Sequence, residues 1–422
     1  MGLRVIVTLI ISSIGILGTF FNAFVGLIVY AFWSYVYPEK ITWGLLSMSG
    51  ISYIVGLCLV ISTYIQNKTL ASRNWKNIPI ILFWIFCLIA VMNSPENDIA
   101  PWQFKYFTRV ILITFIITVL IDSKQKIRYY LWAIILFIGL IAAQSGFIGT
   151  LKGVTGGSRY GLGGPIDDRN FFAVILCAIL PIVFYLGNAE RDRRLKILLR
   201  FIFVGDILAL ILTYSRAGFL GLVAVVIFLF IKSRHKISVG AIGILLTTVF
   251  VIYFLPKEYK ERIKPLFERG IGIEDIDNSA AGRLIAWRSA LEMIKQHPLA
   301  GVGFYNSERV IEQYPDPKSG IRLEGRAIHN TFLQIGAEVG LPALFVYTFI
   351  FFTIYRLLGR IKKRVKKNEL DEDFWDYASM FQGAFFCFFV PAFFVNAAFI
   401  DISWHLLGLT ISLDQITKNQ IS

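Results

Sequence analysis

The chain has 422 residues, of which 56% are hydrophobic and only 17% charged, and its mean hydropathy is +0.64. A soluble protein of this size could not cover so much apolar surface. The net charge of +14 is spread over short loops and not gathered on one folded face, which argues against a nucleic-acid partner.

This composition predicts an all-α fold, a polytopic transmembrane helix bundle. About twenty apolar residues cross roughly 30 Å of hydrocarbon, and the apolar runs do not alternate as barrel strands do. Spans are expected at 5–33, 48–65, 78–92, 105–121, 129–147, 169–187, 199–213, 217–231, 237–255, 329–357, 375–395 and 397–414, about twelve in all. Runs 78–92, 105–121 and 217–231 read as nearly uncharged. The first stretch, 5–37, is too long for a signal-peptide core and lacks a clean cleavage site, so it reads as retained. A break near Gly18–Asn22 would turn it into a helical hairpin. Cys58, Cys87, Cys177 and Cys387 lie in apolar segments without paired spacing and read as small buried hydrophobes.

Cations cluster at Lys124, Lys126 and Arg128, at Arg191, Arg193, Arg194 and Lys196, and at Lys232, Arg234 and Lys236. The densest cluster runs from Arg360 to Lys367. From 66–77 onward these basic loops fall on alternate connections, which marks the cytoplasmic side. The other connections, 93–104, 148–168, the turn at Ser215-Arg216 and the long loop 256–328, are then extracytoplasmic. Three regions follow: nine spans in 1–255, a large extracytoplasmic (periplasmic) loop with short helices at 256–328 before span 10, and three spans with a cytoplasmic tail in 329–422.

Segment 148–168 is glycine-rich and reads either as a flexible loop or as backbone that can approach a ligand. It lacks the Gly-Lys-Ser/Thr ending of a phosphate loop. It ends in Asp167-Asp168-Arg169-Asn170, where Asp168 or Asn170 could cap the next helix. Asp206 lies in mid-span and is expected to pair internally, for example with a basic residue on a neighbouring helix. Arg216 stands between two apolar segments. It reads either as a snorkelling turn residue or as an anion ligand, since its planar fork suits phosphate.

In the long loop, Asp275 and Asp277 make an incomplete metal site, so neither a metal nor a cofactor is expected. Residues 282–296 read as a helix capped by Asn278 or Ser279, with an apolar stripe of Leu284, Trp287, Leu291 and Ile294. His297-Pro298 ends it. Arg283 and Arg288 are about 140° apart around this helix and do not share a face. Arg283 is favoured as an anion contact because it lies near the helix N-terminus. His329 can serve as a base near neutral pH. Asp401 and His405 share a face of the last span, and an intramembrane Asp401 is a candidate to orient a base or an acceptor hydroxyl.

Taken together, these residues resemble the O-antigen ligase and polymerase family of integral-membrane glycosyltransferases. Arg216 to Leu220 fits that family's Arg-x-x-x-Leu element. Gly282-Arg283-Leu284 with Trp287, Pro298 and Gly301-Val302-Gly303 looks like its large loop. His329-Asn330 followed after nine residues by Gly340 fits its His-Asn-x9-Gly element, although Ala343 departs from the pattern. Tyr37 to Gly44 looks like a subgroup of O-glycosylation ligases associated with exosortase systems. The resemblance implies transfer of a glycan from an undecaprenyl-diphosphate carrier to a glycan, lipid or protein acceptor at the outer face of the bacterial inner membrane, inverting and without a metal. It implies His329 as the base and Arg216, Arg283 and Arg288 as diphosphate ligands, with Asn330, Asp401, Asp168 and Arg169 as secondary candidates. A repeat-unit polymerase shares this donor chemistry. A lipid-linked sugar transporter would instead place charges at mid-membrane and show internal symmetry.

Overall fold

A computed structural model of the chain describes residues 3–38, 50–94, 98–152, 168–232 and 280–421. Among them every regular element is helical: α1 Leu3–Phe21, α2 Ala23–Val36, α3 Ile51–Asn67, α4 Asn77–Met92, α5 Ile99–Leu120, α6 Lys124–Leu151, α7 Arg169–Ala189, α8 Arg193–Leu212, α9 Arg216–Lys232, α10 Ala280–Gln296, α11 Thr331–Glu338, α12 Leu341–Lys367, α13 Glu372–Ala392 and α14 Asp401–Asn419. Four of these, α5, α6, α7 and α12, are long and apolar enough to cross a membrane. The chain is a multi-pass helical membrane protein. The expected span 237–255, the acidic pair Asp275 and Asp277, the caps Asn278 and Ser279, and most of the glycine-rich segment lie outside the described residues.

Side-chain chemistry sets the helix ends. The hairpin alternative for the first stretch is the one the fold adopts: Asn22 caps α2 by accepting from the Phe24 amide, and α1 packs back on α2. Asp168 caps α7 through the amides of Asn170 and Phe171, at 2.7 and 3.1 Å. α10 ends at Gln296, directly before His297-Pro298. The expected span 329–357 is divided. Gly340, at φ 101°, separates the short α11 from α12, so His329 precedes a separate helix and not the span itself.

Polar contacts sort the helix ends onto two faces. On the basic face, Lys124 pairs with Asp371 and, at 2.7 Å, with Asp373, which joins α6 to α13. Arg128 meets Glu190 at 2.5 Å. Asp414 receives Lys76, Arg364 and Lys418 at 3.0, 2.9 and 3.0 Å. On the opposite face, the Phe304 amide donates to the Ala90 carbonyl at 3.2 Å, Ser215 Oγ to Asn170 Oδ1 at 2.8 Å, and the Asn330 amide to Asn396 Oδ1 at 3.0 Å.

An aromatic cluster of Phe83, Phe107, Phe351, Phe399 and Trp404 holds the bundle centre. Lipid tails are as apolar as these side chains, so helices inside a membrane associate by close packing at small residues. α6 and α8 meet in this way. A Cβ on Gly205 would lie 2.5 Å from Ala143 Cβ and 2.6 Å from its Cα.

Four expectations need correction. Run 105–121 carries more charge than expected: Lys105 and Arg109 both stand within α5. Asp206 is fully buried, and neither carboxyl oxygen has a hydrogen-bond partner among the described residues. It faces the π-helical turn Ile135–Gly139 of α6 instead of a cation. The last helix opens at Asp401 and not at 397, the expected start of the last span. Cys58 is only half-buried, unlike the other three cysteines.

The α6–α8 contact predicts that Gly205→Ala will force the two backbones apart. Overpacking costs about 1–3 kcal/mol, which exceeds the helix-propensity gain of Ala over Gly of about 1 kcal/mol. Gly359→Ala meets only Gln382 Nε2 at 3.9 Å and should be neutral or slightly stabilising. Melting of the two variants in detergent checks this, with a drop expected for Gly205→Ala alone.

Candidate functional site

The segment between α10 and α12 builds a small apolar core of its own. Ile285, Ala286, Ala290, Met293 and Ile294 of α10 pack with Ile311, Tyr314, Leu323, Ile328 and Ala337. The buried face of α10 is therefore one position away from the expected stripe. Leu284 and Leu291 are 49% and 45% exposed, whereas Trp287 and Ile294 do join the core. The chain then crosses the end of α11: the Val302 amide donates to Ala337 O at 2.7 Å and the Gly303 amide to Glu338 O at 3.1 Å. Gly301, at φ 66°, and Gly340 have no room for a Cβ here, which would lie 2.3 Å from Glu338 C and 2.4 Å from Leu299 O respectively. Two glycines of the motif thus act as joints between loop and helix. Buried Glu338 secures the same joint by accepting from Ser307 Oγ at 2.6 Å and Gln334 Nε2 at 3.1 Å.

His329 stands at the end of this unit in a left-handed conformation, φ 54°, which costs of order 1–3 kcal/mol when the surroundings impose it. The surroundings grip it from both sides. Trp287 Nε1 donates to Ile328 O at 3.0 Å. The Asn330 amide is held by Asn396. Thr331 Oγ1 donates to Val395 O at 2.7 Å and accepts from the Ala397 amide at 2.9 Å. Asn330 caps α11, its Oδ1 accepting from Phe332 and Leu333 at 2.9 and 3.0 Å. With the peptide locked, the imidazole has a fixed point of departure.

Burial lowers the His329 pKa to about 4, the positive charges of Arg283 and Arg326 press in the same direction, and Asp168 opposes them. The ring is therefore neutral at pH 7 and able to accept a proton. The structure brings together His329, Arg283 and Asp168, all picked from sequence, and adds Arg326, which no motif marked. Arg216 opens α9 on the same face; its neighbour Ser215 bonds Asn170, two residues from Asp168. Arg169 is exposed beside that cap. Arg288 is engaged elsewhere. Its Nε and NH2 form a bidentate pair with Asp316, at 2.5 and 2.8 Å, and hold that carboxyl well below its usual pKa. Asp401 accepts from Ser34 Oγ at 2.6 Å. His405 is fully buried against Tyr35 Oη, 2.5 Å from its Nδ1. Among the described residues no group of three or more His, Cys, Asp or Glu is placed to hold a metal ion.

An aromatic groove begins beside the site. Phe332 and Phe393 lie at one end, and Tyr347, Phe351 and Tyr355 continue it along one face of α12. With Phe389 opposite, they enclose about 360 Å³.

Residues 201–348 match the family described as O-Antigen ligase, so the likeness read from Arg216, the loop and His329 is shown for this stretch. Residues 3–191 match a family of unknown function. Over 101 residues the chain is 29% identical to the "Exopolysaccharide production protein ExoQ" of Rhizobium meliloti (strain 1021), which is 22% of this chain and 22% of that protein. The chain thus aligns with well under two thirds of this relative's length. What these comparisons show is a membrane protein whose residues 201–348 are similar to the O-antigen ligase family.

The grip on His329 predicts a titration that responds to anions. In histidine-labelled protein, the His329 NMR signals should titrate near pH 4, well below the free imidazole value of about 6.5. Inorganic pyrophosphate should move that midpoint upward, because an anion between the ring and the arginines favours the charged imidazolium. A midpoint near 6.5 that ignores pyrophosphate would contradict the geometry.

Proposed function

We propose that the protein transfers a glycan from an undecaprenyl-diphosphate carrier to an acceptor hydroxyl, in the manner of an O-antigen ligase. The observation that carries this reading is the neutral His329 imidazole beside Arg283 and Arg326, on the face that also holds Arg216. In this reading the chain crosses the bacterial inner membrane about twelve times, or thirteen with the α1–α2 hairpin, and this face is periplasmic. Loop 256–328 then lies between the spans of 1–255 and those of 329–422 in the sequence.

Arg216 and Arg283 bind the donor's diphosphate through paired charged hydrogen bonds. The aromatic groove along α12 takes the first isoprene units of the tail. His329 removes the proton of the acceptor hydroxyl, whose oxygen forms a new bond to the anomeric carbon from the face opposite the diphosphate. The old bond from that carbon to the phosphate oxygen breaks, its electron pair leaves with the diphosphate, and the configuration inverts. The arginines stabilise the charge that grows on the leaving oxygen, so the step needs no metal. A base works best when its pKa lies near the working pH. Donor binding raises the His329 pKa from its depressed value, so the ring gains basicity when the substrate is in place. Arg288, committed to Asp316, shapes the loop instead of binding substrate.

A second reading within the class is repeat-unit polymerisation, in which the acceptor is another lipid-linked glycan. The printed name of the exopolysaccharide relative favours keeping it.

The decisive experiment incubates purified protein with undecaprenyl-diphosphate-linked glycan and candidate acceptors and records which becomes labelled. His329→Ala should abolish transfer while the protein stays folded in the membrane, and retained transfer would remove the base assignment. Arg283→Lys and Arg216→Lys should each cut kcat/KM by about 10- to 100-fold, since a lysine cannot make the two-pronged contact. Chelator should change little. The acid limb of the kcat profile should lie at higher pH than that of kcat/KM, because the first reports the donor complex and the second the free enzyme.

A further inference from the structure

On the same face as His329, beyond the 393–400 turn, lies a second polar cluster. It gathers Tyr30 and Ser34 of α2, Tyr53 of α3, Tyr106 and Arg109 of α5, and Asp401 of α14. Arg109 stands about 15 Å along the α5 axis from Ile99, at 1.5 Å per residue. The Tyr53 ring covers one face of its guanidinium at 4.3 Å, and the Tyr106 ring lies 5.8 Å away. The Tyr30 hydroxyl is within electrostatic reach of Arg109, Asp401 and Tyr53, and the Tyr106 hydroxyl is within reach of Asp401.

Three features of the cluster point to a ligand. First, Arg109 lies in a helix long and apolar enough to span the membrane yet pairs with no carboxylate among the described residues. The one acid beside it, Asp401, is bonded to Ser34 and its own helix start instead. A charge at such depth is ordinarily matched by a partner. Second, the Arg109 Nε and Tyr106 Oη are buried and without a hydrogen-bond partner among the described residues. Buried polar groups of this kind are nearly always satisfied. Third, the cluster combines one cation, hydroxyls that can donate or accept, and one carboxylate that can only accept. A bare anion would suit Arg109 but would be repelled by Asp401. A neutral sugar would leave Arg109 unmatched. A group carrying both a negative charge and neighbouring hydroxyls satisfies the whole set.

We propose that the cluster around Arg109 binds an anionic group bearing adjacent hydroxyls. Two sources supply this chemistry: a phosphatidylglycerol headgroup, or a uronic acid residue of a glycan. The Arg109 fork takes the phosphate or carboxylate in a bidentate contact, and Asp401, Tyr30 and Tyr106 take the hydroxyls. Tyr53 is 51% exposed, as are Ile54 at 49% and Leu57 at 61% on the same helix, so the way in is lateral, between α3 and α5. The site stands apart from the transfer chemistry and does not depend on it.

Two arms test this. In nanodiscs of mixed phosphatidylcholine and phosphatidylglycerol, native mass spectrometry of wild type, Arg109→Gln and Tyr53→Ala reads the lipid retained. In phosphatidylcholine alone, thermal shift compares galacturonate with galactose. Phosphatidylglycerol retained by wild type and reduced at least tenfold in Arg109→Gln establishes the lipid source. A melting shift with galacturonate alone, lost in the same variant, establishes the sugar source. Tyr53→Ala, a change at an exposed ring, should weaken either result several-fold and keeps the test valid if Arg109→Gln does not fold. No preference for the anionic probe in either arm, or a preference that survives both substitutions, overturns the proposal and leaves a cluster satisfied by water alone.

Discussion

The interaction on which the site depends is the opposition of burial and nearby positive charge to protonation of one imidazole. Arg283 and Arg326 press positive charge toward an imidazole that burial already keeps neutral, and Asp168 offsets only part of it. Protonation of the ring is disfavoured there, and an anion beside it would ease protonation. A diphosphate therefore does more than bind. In the proposed reaction it would also raise the basicity of the residue it meets.

The ring keeps this place because the backbone on either side is held. A free loop would swing His329 away from the arginines and into water. Here four hydrogen bonds, from Trp287, to Asn396, and to and from Thr331, fix the residues on either side. Each such bond contributes only about 0.5–1.5 kcal/mol net. Together they outweigh the left-handed strain at His329. Trp287 belongs to the loop core, and Asn396 belongs to the turn between α13 and α14. The imidazole is thus the point where loop and bundle are joined, and losing either partner would loosen both.

Much of this was legible in the sequence, and the reasons for the gaps are physical. Caps and breakers are local, so Asp168, Asn22 and His297-Pro298 set helix ends where residue chemistry says they should. The gathering of His329, Arg283 and Arg216 near one face followed from placing loops by charge. Arg326 and Asn396 left no such mark. An arginine in a polar loop looks like any solvated cation, and an asparagine in a turn looks like turn chemistry, until tertiary contacts show what each faces. The α10 stripe shows the same limit. Leu284 and Leu291 have the spacing of a buried face, but Ile285, Ala286, Ala290 and Met293 beside them pack against the loop, and that choice is made by the partner surface. Asp206 failed for the opposite reason: charge pairing is the usual rule for a buried acid, and this one faces a π-helical turn.

The two arginines of α10 show why spacing carried information that residue type did not. Both are guanidinium groups on one helix, and composition treats them alike. Five residues apart, they point to different surroundings. Arg288 meets a buried aspartate in a bidentate pair and becomes part of the loop's own structure. Arg283 faces the imidazole. A helix that anchors its far side with one arginine can hold the other rigidly at the site, so the Arg288–Asp316 pair acts on the chemistry through position. Breaking that pair would leave Asp316 buried without its cation, disturb the small core around Tyr314 and Ile328, and move the residue directly before His329. Loss of a loop arginine that touches no substrate would then resemble loss of an active-site residue. A comparison of melting with turnover would expose it, because the loop defect lowers both.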